Sequence, residues 1–175
     1  MKFFGFRGGV HPPENKIQTE NMAVEELKAP KMLYVALLQH IGAPLDPLVA
    51  IGDKVLKGQK IADSQAFMSS PIHSPVSGTI KKIEEHVFPL MGRIKTIMIE
   101  NDEQDTWAEL PKIENWETAD KKELLAMIRE KGIVGIGGAS FPTHIKLNPP
   151  ADAKIDTLLL NGAECEPYLN SDNRL

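Results

Sequence analysis

Short apolar runs, separated by glycine, proline and charged residues, occupy the chain between residues 31 and 101. The segment from Thr79 to Ile83 alternates apolar and polar residues with the two-residue period of a strand. Runs of this length with turn residues between them are typical of strands joined by tight turns. The pattern therefore predicts an all-β domain over residues 31–102. The runs are LYVALL, PLVAIG, KVLKGQKIA, PIHSPVSGTIKKI and RIKTIMIE.

A helical pattern follows after a polar stretch. Asp120, with Glu123 three residues later, forms a capping-box pattern, and Gly132 stands where a C-terminal cap belongs. These signals predict a helix from Lys121 to Lys131. The apolar residues that share one face of this helix are Leu124, Leu125, Met127 and Ile128.

The remaining segments carry weaker patterns. Residues 1–30 contain RGGVHPPENK and predict an irregular N-terminal arm, and residues 103–118 predict a polar connector. Thr157 to Leu160 predicts a buried strand. A helix, a glycine loop and a single strand cannot close a layered α/β core, so we expect residues 119–175 to be the incomplete first part of an α/β unit that another segment completes.

Composition and charge exclude several classes of protein. A net charge of -4 argues against a protein that binds the phosphate backbone of nucleic acids. The apolar run Leu33 to Leu38 is far too short to cross a bilayer, and the first residues lack the features of a secretory signal, so we expect a cytoplasmic protein with no transmembrane segment. The single cysteine, Cys165, cannot form an internal disulfide or hold an iron–sulfur cluster by itself.

The histidines give no metal signal. They are scattered without the spacing of metal ligands, so we expect surface or turn histidines and no metal site. Cys165 lies between two glutamates and is not assigned as a nucleophile. The histidines are His11, His40, His73, His86 and His144.

A glycine loop follows the predicted helix. Gly135, Gly137 and Gly138 allow positive φ angles and a close approach of the backbone to a ligand, so several amides could point at one anion. Ser140 could cap the next short segment, and Lys146 could add a positive charge. The loop follows a helix and lacks GK[ST], so it is neither a standard dinucleotide turn nor a P-loop. A tight connection out of the helix is the alternative.

Polar side chains come directly after the predicted strand. Asn161, Glu164 and Glu166 stand where α/β sheets present side chains to ligands. An amide can hydrogen-bond the edge of a flavin ring, and carboxylates can accept hydrogen bonds from ribose hydroxyls or a nicotinamide amide. A solvated acidic turn is the alternative interpretation.

The β-domain resembles the flattened barrel of biotinyl and lipoyl domains. Gly52 and Gly58 flank a short strand in GDKVLKGQKIA, and Pro75 and Gly78 precede the alternating run in SPVSGTIKKI. Those carrier domains attach their cofactor to a lysine at a hairpin tip, but the corresponding segment here, ADSQAFMSSPIHSP, contains no lysine. We therefore expect a structural or docking module.

Longer motifs resemble two related families. GIGGASFPTHIK and NGAECEP resemble the flavin-binding signature of the NADH-oxidising flavoprotein subunit of respiratory complex I and of related hydrogenase and formate dehydrogenase subunits. FRGGVHPPENK, QHIGAPLDPLVAIGDKVLKGQKIA and NGAECEPYLNSDNRL resemble the C subunit of the Rnf ion-translocating electron-transport complex, so the likeness covers nearly the whole chain. The expected fold is mixed: an N-terminal barrel-sandwich hybrid followed by the truncated start of an α/β flavin-binding domain.

The resemblance implies a peripheral protein on the cytoplasmic face of the inner membrane, with FMN and NAD(H) as cofactors. Its partners would be the other subunits of the membrane complex and a ferredoxin-linked redox protein, and two [4Fe-4S] clusters would lie in a missing C-terminal part. By the same resemblance, the FMN phosphate and nucleotide pocket would be lined by Gly135, Gly137, Gly138, Ala139, Phe141 and Lys146. Asn161, Glu164 and Glu166 would face the flavin ring and the nicotinamide nucleotide.

The chain departs from the complex I pattern at three positions. Ile136 stands in place of Arg, Ser140 in place of Gly, and Ala163 in place of an acidic residue.

Two functions remain for the chain. The first is a subunit of a redox enzyme, whose 175-residue portion binds flavin weakly or not at all. The second is a docking or assembly module similar to the A subunit of the sodium-translocating quinone reductase. A biotinyl or lipoyl carrier is excluded by the missing lysine.

Overall fold

The computed structural model describes residues 11–89, 91–136 and 138–174. They form two compact units: residues 28–153, and residues 11–27 together with 154–174. The strands of the first unit are β1 (Met32–Ala36), β2 (Asp46–Pro47), β3 (Lys54–Val55), β4 (Lys60–Asp63), β5 (Ile72–His73), β6 (Gly78–Phe88) and β7 (Gly92–Asn101). Its helices are α1 (Lys121–Glu130) and α2 (Thr143–Lys146). The second unit contains the 3-10 helices Lys16–Gln18 and Asp172–Arg174.

The strands of the described residues form two antiparallel sheets. One has the order β1-β7-β6-β3 and the other the order β2-β4-β5. The long β6–β7 hairpin pairs from Gly78 with Asn101 to Phe88 with Gly92, and its register shifts between Ile80 and Lys82. A β-bulge of this kind bends a strand and increases its twist, which helps a small sheet to wrap around a core.

The two sheets share one apolar core. Side chains from both sheets meet in it, with Ile80, Ile97 and Ile99 from the first sheet and Ile61 and Ala62 from the second, all inaccessible to solvent. The alternation of β6 places Ile80 inside and Lys81 outside, as a strand with one buried face requires. The predicted barrel-sandwich architecture is confirmed.

The turn residues singled out in the sequence occupy the predicted places. Gly52 (φ 97°) and Gly58 (φ 80°) flank β3 in the left-handed region, which other residues rarely adopt. A Cβ on Gly78 would collide with the carbonyl of Glu100 across the hairpin. The segment Leu48 to Gly52, however, is a turn rather than the predicted strand, since only Asp46–Pro47 pairs there with β4.

Helix α1 begins and ends as its sequence predicts. The side chain of Asp120 accepts a hydrogen bond from the Lys122 amide at 2.9 Å, and Gly132 follows the last turn with a φ of 70°. Residues 103–118 run beside the barrel, where Lys57 and Trp107 form an isolated parallel bridge. The longest helix among the described residues, α1, has ten residues. No helix in this part of the chain is long and apolar enough to cross a membrane.

The predicted buried strand at Thr157 to Leu160 is wrong for this structure. These residues adopt no regular secondary structure, and Leu158, Leu159 and Leu160 are 75%, 85% and 89% exposed. A buried strand needs paired neighbours and a covering layer, and no described residue pairs with this segment. The apolar run therefore favours burial, but in this structure its leucines are exposed.

Candidate functional site

The glycine loop is closed at its base by backbone pairing. Val134 forms a bridge with Pro142, the Gly135 amide donates to the Phe141 carbonyl at 2.9 Å, and the Thr143 amide donates to the Ile133 carbonyl at 3.1 Å. Residues 133–143 therefore form a hairpin-like loop that starts directly after α1 and ends where α2 begins.

Lys146 lies over the loop at the position of a missing Cβ. A Cβ built on Gly135 would lie 2.5 Å from Nζ of Lys146, so the ammonium occupies space that a side chain at this position would take. The same ammonium lies 6.0 Å from the ring centroid of Phe141. A cation above a backbone free of side chains is an arrangement that can hold a phosphate group.

Two details of the predicted loop are wrong. Gly135 has no positive φ, whereas Ser140, a residue with a Cβ, has a φ of 50°. Ser140 does not cap the next helix either, because the N-cap of α2 is Pro142, which has no side chain that could accept a hydrogen bond. The open space around Gly138, which has no atom within 4 Å of a Cβ built there, agrees with close approach by a ligand. Gly137 lies outside the described residues.

The outer part of the loop rests on the barrel. The Ile41 amide donates to the Ala139 carbonyl at 3.0 Å, so this carbonyl is already paired. Beside the contact lies a cavity of about 570 Å³, whose lining includes Gly138, Ala139 and Ser140 from the loop and Tyr34, Phe88 and Met91 from the barrel. The three loop residues thus border the barrel as well as the solvent.

The acidic segment belongs to the second unit. Oδ1 of Asn161 accepts a hydrogen bond from the Ala163 amide at 3.0 Å, and Oε1 of Glu164 accepts one from the Asn173 amide at 3.1 Å. These residues do not stand at the end of a strand, as the sequence predicts, because no strand forms before them. Asn161 is exposed, and Glu164 is half-buried in an irregular segment held by its own hydrogen bonds.

The N-terminal arm holds this segment in place. Nζ of Lys16 donates to the carbonyls of Leu169, at 2.5 Å, and Glu166, at 3.3 Å, and the Tyr168 amide donates to the Glu14 carbonyl at 2.8 Å. Sequence reasoning missed Lys16 as a partner of Glu166, although the HPPENK motif contains it. A cavity of about 440 Å³ is lined by His11, Glu14, Lys16, Glu164, Cys165 and Glu166, among others.

The histidines differ from expectation at several positions, since three half-buried ones lie in regular elements: His73 in β5, His86 in β6 and His144 in α2. His40 is buried rather than at the surface: its Nε2 accepts a hydrogen bond from the Ser70 amide at 3.1 Å, and its Nδ1 lies 3.2 Å from the Ile41 carbonyl. Partial burial and the nearby Arg129 lower the pKa of His144 on α2. In the part of the chain that the structure describes, no three His, Cys, Asp or Glu residues are arranged to hold a metal ion.

Comparison with protein families finds a match for each of two segments of the chain. Residues 4–104 match the model of the RnfC barrel-sandwich hybrid domain, and residues 128–175 match the model of the Nuo51 FMN-binding domain. The second match contains both the glycine loop and the NGAECEP segment.

Curated relatives match over almost all of this chain. The C subunit of the proton-translocating ferredoxin:NAD(+) oxidoreductase complex of Clostridium ljungdahlii is 49% identical over 97% of this chain and 37% of its own length. The C subunit of the Na(+)-translocating ferredoxin:NAD(+) oxidoreductase complex of Acetobacterium woodii is 42% identical over 100% of this chain and 40% of its own. The C subunit of the ion-translocating oxidoreductase complex of Rhodobacter capsulatus is 41% identical over 100% and 34%.

The chain therefore spans between a third and two fifths of the length of these relatives. The RnfC model alone covers more than half of the chain, and the FMN-binding model begins 24 residues after it ends, at residue 128 against 104. The chain belongs to the RnfC family, that of the C subunit of Rnf ion-translocating electron-transport complexes, and its barrel-sandwich hybrid domain is followed by the start of an FMN-binding domain.

Proposed function

We propose that this chain is the N-terminal part of a peripheral subunit of a membrane-bound ferredoxin:NAD oxidoreductase complex. In this role it passes electrons between NAD(H) and iron–sulfur clusters through FMN, in a complex that couples the transfer to ion translocation. The subunit lies on the cytoplasmic face of the membrane. The other subunits of the complex and a ferredoxin-linked redox protein are its partners.

The observation that carries the proposal is the order of the two family matches. An RnfC barrel precedes an FMN-binding sequence in one chain, and the names of the relatives include ferredoxin:NAD(+) oxidoreductase complexes. A barrel without a carrier lysine has no cofactor of its own to present. The redox role is therefore assigned to residues 128–175.

The glycine loop fits the phosphate end of FMN. The Lys146 ammonium lies against the side-chain-free backbone of Gly135, and Gly138 has open space around it, so an anion can approach both. We assign Gly135, Gly137, Gly138, Ala139, Phe141 and Lys146 to the FMN phosphate and nucleotide. When bound, FMN supplies the redox chemistry, and these residues supply binding, orientation and electrostatics.

We assign Asn161, Glu164 and Glu166 to the flavin ring and the nicotinamide nucleotide. Their amide and carboxylate groups are suited to the polar edges of these molecules. The Lys16 contacts fix the backbone between Glu166 and Leu169, which keeps the acidic segment in one conformation. Two [4Fe-4S] clusters would be bound by cysteines outside the 175 residues, since Cys165 cannot hold one alone.

The test is flavin retention by a polypeptide of the relatives' full length that contains this segment. The protein is incubated with FMN and separated from free flavin, and its visible flavin absorbance is compared with that of Lys146→Gln and of a matched surface variant, Lys154→Gln. We expect the wild type and Lys154→Gln to retain flavin. Lys146→Gln should weaken binding about tenfold, because it removes a charge-assisted contact.

Two results would count against the proposal. If the wild type never retains flavin, its central claim fails. If Lys146→Gln and Lys154→Gln bind FMN equally, the assignment of Lys146 is wrong. For the 175-residue chain alone we expect weak binding or none, because Leu158 to Leu160 lie exposed without neighbouring strands to build the rest of a pocket.

The second candidate function is a docking or assembly module similar to the A subunit of the sodium-translocating quinone reductase. The turn between β4 and β5 favours it, because this turn contains no lysine and contacts a helix instead of presenting a cofactor. A complex that assembles normally around a subunit that never retains flavin would support this candidate over the redox role.

A further inference from the structure

The turn between β4 and β5, residues 64–71, occupies the place where biotinyl and lipoyl domains present their lysine. In this chain the turn contacts the last part of α1, and the contact is made by Arg129. The two segments are separated by about sixty residues of sequence, so the contact is a tertiary one.

Arg129 makes a two-point ion pair with Asp63. Its Nη2 lies 2.8 Å from Oδ1 and its Nη1 lies 3.3 Å from Oδ2 of the carboxylate. Nη2 also donates to the Ser64 carbonyl at 2.8 Å and to Oγ of Ser69 at 3.3 Å. The side chains of Arg129 and Asp63 are only 24% and 13% exposed, so this pair is less screened by solvent than a surface pair. The two protons of Nη2 serve the nearer acceptors, Asp63 and the Ser64 carbonyl, and the longer contact to Ser69 shares one of them. The planar fork of an arginine presents its donors to Asp63 at two points, which a lysine cannot do.

A second ion pair supports the first. Nζ of Lys60 lies 3.1 Å from Oδ2 of Asp63 and 2.5 Å from Oε2 of Glu130. Burial alone would raise the pKa of Asp63, but hydrogen bonds from Arg129, the Ser64 amide and Lys60 outweigh it and hold that pKa below its ordinary value. Lys60 and Arg129, each with a raised pKa, remain charged beside it.

The turn that receives Arg129 is itself fixed to the barrel. Oγ of Ser69 donates to the Ala66 carbonyl at 2.7 Å, and the Ser70 amide donates to the buried His40 ring at 3.1 Å. The Ala43 amide donates to the Met68 carbonyl at 3.0 Å. A helix end bound to this turn is therefore bound to the body of the barrel.

The chain enters the glycine loop directly after this contact. Gly132 has a φ of 70°, and a Cβ on it would lie 2.5 Å from the Pro71 carbonyl, so α1 ends in close contact with the turn. The loop closes over residues 133–143, and its outer part is held by the hydrogen bond from the Ile41 amide to the Ala139 carbonyl. The barrel thus holds the loop at two places, through Arg129 at its base and Ile41 near its tip.

We propose that Arg129 is a positioning residue that sets the glycine loop on the barrel, and that the turn used for cofactor attachment in carrier domains has become its binding site. The consequence for FMN rests on the proposed function. The role of Arg129 in holding the loop is independent of the proposed function, because it concerns the loop and the barrel of this chain alone.

Amide hydrogen exchange on the 175-residue chain tests the structural claim. The reporter is the Ile41 amide, which is protected by a loop carbonyl, and the reference is the set of amides in the central strand β7. We expect Arg129→Gln and Asp63→Asn to speed exchange at Ile41 about tenfold, as for a half-buried pair that loses a partner, while β7 stays unchanged. The matched control is Arg93→Gln, since Arg93 is exposed on the hairpin and its ion-pair partner Glu85 is 3.9 Å away.

Rescue separates positioning from general stability. Arg129→Lys should restore part of the protection at Ile41, because it keeps a positive charge beside Asp63 but loses the planar fork. Unchanged exchange at Ile41 in Arg129→Gln would overturn the proposal. So would an equal acceleration at Ile41 and in β7, because the variant would then destabilise the whole barrel rather than release the loop.

A functional arm uses the full-length polypeptide. If it retains FMN, Arg129→Gln should raise the FMN dissociation constant about tenfold relative to Arg93→Gln, with partial recovery in Arg129→Lys. Equal dissociation constants in Arg129→Gln and Arg93→Gln would overturn the functional consequence. A wild type that retains no flavin would refute the proposed function, and the exchange experiment would still decide the role of Arg129.

Discussion

The Lys16 ammonium donates to the carbonyl of Leu169 at 2.5 Å across 153 positions of sequence. The same group reaches the Glu166 carbonyl at 3.3 Å, so one side chain joins the N-terminal arm to the acidic segment of the proposed flavin site. A lysine can do this because its ammonium carries three donors and the turn presents two carbonyls on one side. The described part of the arm, residues 11–27, is thus a structural component of the second unit.

Replacing Lys16 should loosen that unit. We expect Lys16→Met to speed hydrogen exchange at the Tyr168 amide, which donates to Glu14, about fivefold, because a charge-assisted contact at a half-exposed site contributes about 1 kcal/mol. Lys154→Met, at an exposed position of the same unit, is the control. Equal exchange at Tyr168 in the two variants would show that Lys16 does not hold the segment.

Gly132 and Gly92 form a matched pair for measuring the contact between α1 and the barrel. Both have positive φ angles, 70° and 73°, but a Cβ on Gly132 would meet the Pro71 carbonyl at 2.5 Å, whereas one on Gly92 has nothing within 4 Å. Alanine at Gly92 should cost about 1 kcal/mol in unfolding free energy from backbone strain alone. Alanine at Gly132 should cost at least about 1 kcal/mol more, because the carbonyl belongs to the backbone and cannot move aside. Denaturant unfolding of both variants measures the difference, and equal costs would contradict this close approach of α1 to the turn.

The Asp63 ion pair should give stability a defined dependence on pH. Because the folded pKa of Asp63 lies below its unfolded value of about 3.9, the contribution is fully present above that value and is lost as the pH falls through the folded pKa. The difference in unfolding free energy between wild type and Asp63→Asn should be constant from about pH 5 to 8 and shrink below about pH 4.

Asp152→Asn is the control for this measurement, since Asp152 is exposed, lies away from β4 in the sequence and makes no ion pair with any residue in the described ranges. Its difference from wild type should stay small at every pH. If the Asp63→Asn difference grows as the pH falls, the direction assigned to the Asp63 pKa is wrong.

The two tryptophans of the chain should differ in their contribution to stability. Trp107 packs against Gly58 and lies under the Lys57 ammonium, 5.0 Å from the ring centroid, while Lys57 also pairs with Asp105 at 2.7 Å. Trp107→Ala should lower the unfolding free energy by about 1 kcal/mol. The two rings are similarly exposed, at 57% and 62%, but no cation of the described residues lies over Trp116, so Trp116→Ala should change the unfolding free energy by less than about 0.5 kcal/mol. Thermal unfolding of the two variants decides, and a larger loss in Trp116→Ala would refute this packing of the connector.

Leu159 tests whether residues 157–160 are exposed in this chain. At 85% exposure, Leu159→Asp should change the unfolding free energy by less than about 0.5 kcal/mol. Leu37→Ala, at a 1% exposed core position, should cost about 2–5 kcal/mol. A Leu159→Asp variant that unfolds as readily as Leu37→Ala would show that the segment is buried after all and would restore the strand predicted from the sequence.

Local signals in the sequence were sufficient for α1 and for much of the barrel, although not for Leu48 to Gly52, which form a turn. The alternation from Thr79 to Ile83, the glycines around β3 and the Asp120 cap act over a few residues, so the chain encodes them directly. The family resemblance was also readable from sequence, because its motifs are contiguous. The domain boundaries and the assignment of flavin-contacting residues stay predictions.

Other features depended on contacts that no local pattern contains. The sequence marks Leu158 to Leu160 as apolar, but whether they are buried depends on neighbouring strands, and in the described residues none is present. Serine is a residue that favours helix caps, yet Ser140 does not cap α2. The pairing of Val134 with Pro142 places the start of α2 beyond it. The loop glycines were expected to adopt positive φ angles. Gly135 does not, and the Lys146 ammonium lies in the space that its Cβ would fill.

By itself, the sequence determined a barrel-sandwich domain without its carrier lysine, one capped helix and the motifs of an RnfC protein, since each is written in short, contiguous patterns. Only the tertiary structure decided that Arg129 pairs with Asp63, that Lys16 holds Leu169 and that Lys146 covers Gly135. The physical reason is that a charged side chain has many possible partners along a chain, and the packing of distant segments selects one of them.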